Sequence, residues 1–531
     1  MLKVKKEPVM DAIPFLTSLA IILAASIGVI MICSRVRLPT IAGLLITGII
    51  IGPHGTGFIP YLKDAKIFAD IGVVMLLFTI GFDFSLGRIR EIWKPFFIGG
   101  ALQVAMCVLS TVILLVPFGF EAKQAVFYGF LFSLSSTAVV LKSYSERNEV
   151  DSPHGKAAVG ILLFQDLCVL PMMVIVPVLG GADGASVGEV MKSFAVGIIF
   201  TGLIFAVALY LMPALLHAIV RTRSREIFLF TSLFMCLGMA LITGMLGLSL
   251  ALGAFLAGLI LSESEYSPQF VSEIAPFRNF FSSLFFISIG MLLNLSVVMN
   301  SQATAAFSTL FIFGLKVAIL FVTMRALRYA ARTSMLVALG LAQVGEFSFV
   351  LAGEGMRAGL MDESAYQIFL ACSILLMMAT PLIIGWSHRA GHAAGKLLDS
   401  GGKEPGKAGL TEKSGHVAII GYGVNGNNLS SVLRESRIPY AILELNPETV
   451  RRSGKKGEPI IFGDATMKEP LEAIGIRKAK MAVFAISDPE ATRMGLRLVK
   501  TMNPDLYTIV RTKYVREVDL LLGLGADEVI P

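Results

Sequence analysis

Gly155-Lys-Ala-Ala-Val-Gly-Ile-Leu-Leu-Phe-Gln-Asp-Leu-Cys-Val-Leu-Pro-Met-Met-Val-Ile-Val-Pro-Val-Leu179 is the stretch that decides the fold. A hydrocarbon core of roughly 30 Å needs about 20 apolar residues in helix, so this stretch is long enough to span a bilayer. Asp166 is the only acid between Asp151 and Asp183 and falls near its centre, next to Gln165. A carboxylate at mid-depth costs on the order of 3 kcal/mol or more unless it is neutralised or solvated. Such a group is either held by hydrogen bonds for packing or sits in a water-reached cavity where it takes up a proton or a cation. The rest of the chain bears on the second reading.

Of 531 residues, 55% are hydrophobic and 16% charged, with a mean hydropathy of +0.75. Soluble proteins carry about 25% charged residues. Apolar runs follow one another up to about Trp386, after which Lys, Glu, Gly and Pro concentrate. This predicts a membrane domain over 1–388, a flexible linker over 389–414 with its Gly401-Gly-Lys-Glu-Pro-Gly-Lys407, and a soluble domain over 415–531. The net charge of +7 fits membrane loops, because no basic cluster is interleaved with aromatics as a nucleic-acid surface would require. The five cysteines all lie in hydrophobic runs without CxxC spacing and read as small apolar residues. No His/Cys/carboxylate cluster has zinc-site spacing, so no metal is expected beyond a transported monovalent cation. Lys3, Lys5 and Lys6 precede an apolar run from Ile13 to Cys33 that is too long for a signal peptide and is read as the first span.

Hydropathy predicts a polytopic α-helical protein of about thirteen spans: 13–33, 38–52, 68–86, 95–118, 124–141, 156–180, 191–219, 226–244, 246–262, 279–298, 303–324, 333–353 and 365–387. Loops on the side of the C-terminal domain carry fifteen lysines and arginines, and opposite loops carry five. The positive-inside rule then places the C-terminal domain in the cytoplasm. An internal repeat is also visible. Gly43-x-x-x-x-Gly48 recurs as Gly253-x-x-x-x-Gly258 at an offset of 210, and Phe78-Thr-Ile-Gly81 resembles Ile287-Ser-Ile-Gly290 at 209. Ser135-Ser-Thr-Ala-Val-Val-Leu141 falls opposite Gly345-Glu-Phe-Ser-Phe-Val-Leu351, again at 210. Seven helices separate the copies, so the second enters the bilayer inverted. Secondary transporters are built this way, with the site at mid-membrane between discontinuous helices.

The repeat marks where helices should break. Ser133-Leu-Ser-Ser-Thr137 and Gln343-Val-Gly-Glu-Phe347 are polar or Gly-containing interruptions at equivalent depth. Unwound backbone there would present carbonyls and helix ends to a cation. Ser135, Ser136, Thr137, Gln343 and Glu346 thereby join Gln165 and Asp166 as candidate site residues. Lys316 is the only charge in its span, nine residues from Arg325 and roughly 13 Å away along a helix, too far to snorkel. It needs a partner, and Asp166 comes first, Glu346 second.

Leu76-Leu-Phe-Thr-Ile-Gly-Phe82, Ser133-Leu-Ser-Ser-Thr-Ala138, Leu163-Phe-Gln-Asp166 and Phe285-Phe-Ile-Ser-Ile-Gly-Met291 resemble the Kef-type branch of the monovalent cation:proton antiporters, the cation:proton antiporter-2 family. The resemblance covers nearly the whole chain. It implies a homodimer in a prokaryotic inner membrane, with a mobile core domain that carries the ion past a fixed dimerisation domain. It also implies K+ exchanged for H+, where electrogenic sodium relatives carry two adjacent acids. A soluble regulatory subunit is a further implied partner.

In the soluble domain, His416-Val-Ala-Ile-Ile420 predicts a strand, and Gly421-Tyr-Gly-Val-Asn-Gly426 completes a GxGxxG turn. A helix from about Asn425 to Glu435 and a strand Tyr440–Leu443 ending at Glu444 follow. That order is the Rossmann fingerprint. Gly421, Gly423 and Gly426 let backbone amides approach a diphosphate, and Glu444 accepts from a ribose hydroxyl. An adenine nucleotide (AMP, NAD or NADH) is the expected regulatory ligand. Pro459-Ile-Ile-Phe-Gly-Asp-Ala-Thr466 resembles the Gly-Asp-Ala-Thr motif of potassium-transport nucleotide-binding domains, which implies a nucleotide contact at Asp464 and a phosphate contact at Arg511. The resemblance also implies that a second regulatory lobe after Pro531 is missing or removed. The acidic loop Ser262-Glu-Ser-Glu-Tyr-Ser-Pro-Gln-Phe-Val-Ser-Glu-Ile274 continues the resemblance and implies a gating role for Glu263, Glu265 and Glu273.

The readings in play are a nucleotide-regulated potassium/proton antiporter, a sodium/proton antiporter, a gated potassium channel and a membrane NAD oxidoreductase. A channel needs a filter loop, yet Gly421-Tyr422-Gly423 is the only Gly-Tyr-Gly and it belongs to the Rossmann turn. An oxidoreductase lacks a substrate domain. Neither enzyme chemistry nor a nucleic-acid partner is expected.

Overall fold

The computed structural model describes residues 9–35, 38, 40–59, 71–72, 74–75, 77–78, 92–147, 149–150, 152–181, 225–245, 250–262, 267–398, 414–512 and 515–531. The expected span 191–219 lies outside these residues, and 68–86 lies largely outside. The other eleven expected spans each contain helix. In chain order the helices are α1 (Val9–Arg35), α2 (Thr40–Ile51), α3 (Ala101–Leu115), α4 (Ala122–Ser133), α5 (Thr137–Glu146), α6 (Pro153–Leu179), α7 (Arg225–Met245) and α8 (Leu250–Ser262). Then come α9 (Ser267–Leu292), α10 (Leu295–Asn300), α11 (Gln302–Ala326), α12 (Ala331–Gly340), α13 (Glu346–Arg357) and α14 (Glu363–Leu398). Among the described residues, five helical stretches are long and apolar enough to cross a membrane, and α6 makes a sixth if its bend of 46° within Pro153–Leu179 is counted as one span. Pro171 accounts for that bend, since its ring removes a backbone donor inside the helix.

The two predicted interruptions are real breaks. Where sequence gave one span over 124–141, there are α4 and α5; where it gave 333–353, there are α12 and α13. The first half-helix opens on a capping box in which Gln124 Oε1 accepts the Glu121 N–H at 3.3 Å. In the opposite direction, α14 runs to Leu398, into the stretch read as linker, because Ala393, Ala394, Lys396 and Leu397 are good helix formers.

The chain forms two compact units. One comprises Met1–Val140, Gly160–Ile319 and Leu341–Ile383; the other comprises Leu141–Val159, Leu320–Gly340 and Ile384–Pro531. In the first, the main apolar core includes Leu131, Phe127, Val169, Phe285, Phe347 and Leu370. The second contains six parallel strands: β1 (Val417–Ile420), β2 (Tyr440–Glu444), β3 (Ile460–Phe462), β4 (Met481–Phe484), β5 (Tyr507–Arg511) and β6 (Glu528–Ile530), in the order β3-β2-β1-β4-β5-β6. That is the Rossmann arrangement, with the strand order reversing at β1. Helix α15 (Val424–Glu435) follows β1 directly, and α18 (Pro489–Met502) follows β4, with α16 (Pro447–Gly454) and α17 (Lys468–Ala473) between them. The β1 side chains are all buried, as a central parallel strand covered on both faces requires.

Candidate functional site

Leu134–Ser136 and Leu341–Gly345, the two unwound segments, meet face to face. Gly345 N–H donates to Leu134 O at 3.1 Å, Ser135 Oγ donates to Leu341 O at 2.8 Å, and Gln343 Nε2 donates to Ser136 O at 3.3 Å. A Cβ on Gly345 would lie 2.6 Å from the Ser135 carbonyl, so glycine is required where the two backbones touch. Ser348 Oγ donates to Leu131 O at 2.8 Å and ties the second half-helix to the end of the first.

Against this crossing lies the Gln-Asp pair, buried as a unit. Gln165 Oε1 accepts the Ser135 N–H at 2.8 Å, and its Nε2 donates to Gln103 Oε1, also at 2.8 Å. Gln103 Nε2 in turn donates to Ser133 O at 3.1 Å. Gln165 is therefore held through both ends of its amide, and beside it Thr137 Oγ1 donates to Asp166 Oδ2 at 2.8 Å. Thr137 is the first residue of α5, which places the carboxylate by a helix N-terminus, where partial positive charge favours it. Gln103 carries little signal in the sequence: it is one amide in a mostly apolar span, and nothing local says which neighbour it meets.

Lys316 departs from expectation. Its Nζ donates to Gln343 O at 2.6 Å, Leu134 O at 2.8 Å and Ser135 Oγ at 2.9 Å, and among the described residues it forms no ion pair with Asp166 or Glu346. Carbonyls freed by the breaks carry concentrated negative partial charge, and two of them together with the Ser135 hydroxyl satisfy the three ammonium donors. Glu346 is the first residue of α13. Its buried carboxylate lies toward Ser136 and the Ala138 backbone, but no hydrogen bond of acceptable geometry reaches either oxygen. Ser136 Oγ accepts the Val139 N–H at 3.3 Å. Of the acidic-loop residues, Glu263 and Glu265 lie outside the described residues, and Glu273 falls in α9 without a described side chain.

At the end of β1 the glycine turn has the expected form. Gly421 has φ of +99°, and a Cβ there would lie 2.6 Å from Ile486 Cγ2. A Cβ on Gly426 would strike the Gly421 carbonyl oxygen, whereas one on Gly423 would meet nothing. Fold closure thus accounts for the first and third glycines but not the second, whose backbone faces open space where a phosphate would approach. Glu444 stands at the end of β2, its oxygens accepting Tyr422 N–H at 2.6 Å and Asn446 N–H at 2.7 Å. Burial pushes its carboxyl above the ordinary value, while these N–H groups act against that. Arg511 flanks the turn; with the Asn425 amide oxygen facing it, Nη1 donates at 3.0 Å and Nε at 3.1 Å. Asp464 is placed differently from a free ligand group. Its Oδ1 accepts Thr466 N–H at 2.9 Å and Thr466 Oγ1 at 2.8 Å, and its Oδ2 faces Arg332 Nη1 at 3.4 Å.

Glu149, His154 and His388 also converge, although no spacing in the sequence suggested a His/carboxylate cluster. Glu149 Oε2 lies 3.2 Å from His154 Nε2 and Oε1 lies 2.9 Å from His388 Nε2. The fold brings together positions 239 residues apart, which local pattern cannot foresee.

Residues 21–388 match the family described as sodium/hydrogen exchanger, transmembrane, and residues 417–531 match the TrkA-N domain. A protein of Alkalimonas amylolytica named putative K(+) efflux antiporter KefB is 31% identical over 527 residues, covering 97% of this chain and 79% of its own. The putative cation/proton antiporter YbaL of Escherichia coli (strain K12) is 29% identical over 535 residues, covering 98% and 95%. The solved sodium proton antiporter MjNhaP1 of Methanocaldococcus jannaschii superposes with a TM-score of 0.53 at 17% identity, over 73% of this chain and 99% of that one, a likeness of fold.

Proposed function

The chain belongs to the sodium/hydrogen exchanger family, and from that premise we propose that it exchanges K+ for H+ by alternating access at Asp166, under control of an adenine nucleotide bound to its TrkA-N domain. The observation that carries this reading is the buried Asp166, bonded to Thr137 beside two crossed helix breaks with Gln165 fixed as its neutral neighbour. A carboxylate there holds either a proton or a desolvated monovalent cation, with hydroxyl and carbonyl oxygens supplying the remaining coordination. One adjacent carboxylate exchanges one cation for one proton, so the cycle is electroneutral. The efflux-antiporter name of the Alkalimonas relative and the Gln-Asp pair support potassium over sodium.

Gly421, Gly423, Gly426 and Arg511 would hold the nucleotide phosphates, and Glu444 a ribose hydroxyl. The open face of Gly423 supports this. In this reading the protein works as a homodimer in the prokaryotic inner membrane with the TrkA-N domain in the cytoplasm, and Glu263, Glu265 and Glu273 restrain transport until the nucleotide binds. Proton flux in proteoliposomes against a series of monovalent cations, with and without AMP or NAD, tests the whole. K+ should drive the largest flux, and Asp166→Asn should abolish it while leaving a folded protein. Full activity in that variant excludes Asp166 as the carrier, and flux driven best by Na+ replaces the potassium assignment.

A further inference from the structure

A buried charged network in the second unit serves neither the carrier site nor the glycine turn. Its central residue is His154, in the first turn of α6, the helix that carries Asp166. Ser152 sets what faces one edge of that ring. The Ser152 hydroxyl gives its single proton to the Glu149 carbonyl at 2.6 Å and accepts the Gly155 N–H at 3.0 Å. With that proton on the carbonyl, the oxygen keeps a lone pair facing His154 Nδ1, 3.0 Å away, which a ring N–H would fill. The other nitrogen, Nε2, lies 3.2 Å from Glu149 Oε2, an oxygen that only accepts when ionised. Burial would raise the Glu149 carboxyl, but hydrogen bonds from His154 and His388 overcome this and hold it well below the usual carboxylate range. An imidazolium, with a proton on each nitrogen, would meet an acceptor on both sides of the ring.

Its surroundings are charged on several sides. Asp488 Oδ2 lies 3.8 Å from Nδ1, and Arg332 Nη2 approaches the same oxygen at 3.9 Å. Arg147 Nε, at 3.3 Å, and His388 Nε2, at 2.9 Å, share Glu149 Oε1. The rings of Tyr144 and His388 stand edge-on to the imidazole at 5.4 and 5.9 Å. Asp488 is also the N-cap of α18, accepting Ala491 N–H at 3.0 Å just after β4. That is the end of the sheet where a Rossmann domain takes its ligand.

We propose that His154 is a positioning residue whose imidazolium bridges Glu149 and Asp488, and so ties the start of the Asp166 helix to the ligand edge of the nucleotide-binding domain. A neutral ring cannot donate toward both carboxylates. Raising the pH removes one proton and breaks the bridge, which makes the nucleotide's hold on transport pH-dependent. This rests on the antiporter reading, and the test separates the two.

Spectra of [15N]histidine in the purified full-length protein in lipid nanodiscs, assigned with His154→Gln, report the ring's protonation from about pH 5.5 to 8.5 without any transport. Both nitrogens of His154 should be protonated at the acidic end, and Asp488→Asn, which keeps an N-cap oxygen, should move the loss of a proton to lower pH. In proteoliposomes, the effect of AMP or NAD on proton flux should change by up to about tenfold per pH unit in the parent, and by less than twofold in His154→Gln and Asp488→Asn. His154→Arg should retain the nucleotide effect at alkaline pH. A neutral single tautomer at the acidic end overturns the proposal, as does an unchanged pH dependence in Asp488→Asn. Absence of any cation-coupled flux in the parent overturns the antiporter reading instead, and leaves the protonation result standing.

Discussion

Replacing Lys316 with Met removes the ammonium and little else, because the two side chains are close in length. Three charge-assisted hydrogen bonds disappear, to Gln343 O, Leu134 O and Ser135 Oγ. Each is worth roughly 1.5–3 kcal/mol. Against that, the variant no longer desolvates a buried cation, which offsets several kcal/mol. The acceptors differ in what they keep. Leu134 O retains the Gly345 N–H at 3.1 Å, and Ser135 Oγ still donates to Leu341 O. Gln343 O faces the heaviest loss, since the ammonium is its shortest contact at 2.6 Å. The net destabilisation should be about 2–4 kcal/mol, which for a chain of this length corresponds to a fall of roughly 2–4 °C in melting temperature. Thermal unfolding of the full-length protein in detergent measures this, alongside proton flux across a pH series. Because no carboxylate among the described residues pairs with Lys316, the residual flux should keep the parent's pH midpoint. An unchanged melting temperature, or a midpoint moved to alkaline pH, would refute the assignment of Lys316 as a staple of the helix breaks.

Gly345→Ala places a methyl 2.6 Å from the Ser135 carbonyl, so flux should fall by about tenfold or more while folded protein still elutes from gel filtration where the parent does. The three turn glycines should separate in thermal unfolding and nucleotide titration of the full-length protein. Gly423→Ala should leave stability within about 1 kcal/mol and lose nucleotide binding, whereas Gly426→Ala should unfold the domain; tight binding by Gly423→Ala would deny the phosphate assignment. Glu149 and Asp488 are both held below the ordinary carboxylate range, Asp488 against its burial by Arg332, His154 and the Ala491 N–H. Their stabilisation is therefore present above the unfolded carboxyl value of about 4 and lost as pH falls through the lower folded values. Unfolding followed below about pH 4 should show a steeper loss in the parent than in Asp488→Asn, and parallel curves would contradict this.

Most of the architecture was legible because it follows from periodicity and length. The apolar run around Asp166, the two polar interruptions 210 residues apart and the strand–turn–helix order after His416 each have a local physical cause. Partner choice was not legible in the same way. Lys316 looked like a cation in need of an anion, since sequence displays formal charges but not the backbone oxygens that a break exposes. Gln103 and Gln165 had to be folded together before either acquired a partner. Asp464 carried a recognisable motif, yet nothing local indicated that Arg332, 132 residues earlier, would face it.

The broken helices also explain how the buried charges around them are sorted. Each break creates a carbonyl-bearing end and an N–H-bearing end, and the charges sort accordingly. Lys316 lies against the carbonyls of Leu134 and Gln343 in the two unwound segments. Asp166 is bonded through Thr137 at the start of α5, and Glu346 begins α13. Acids thus stand by helix N-termini and the ammonium by freed carbonyls, the arrangement the helix dipoles favour. Had Lys316 paired with Asp166, an arriving cation would have to displace a tethered ammonium. With the ammonium occupied by neutral oxygens, Lys316 takes no part in the exchange of proton for cation proposed at Asp166.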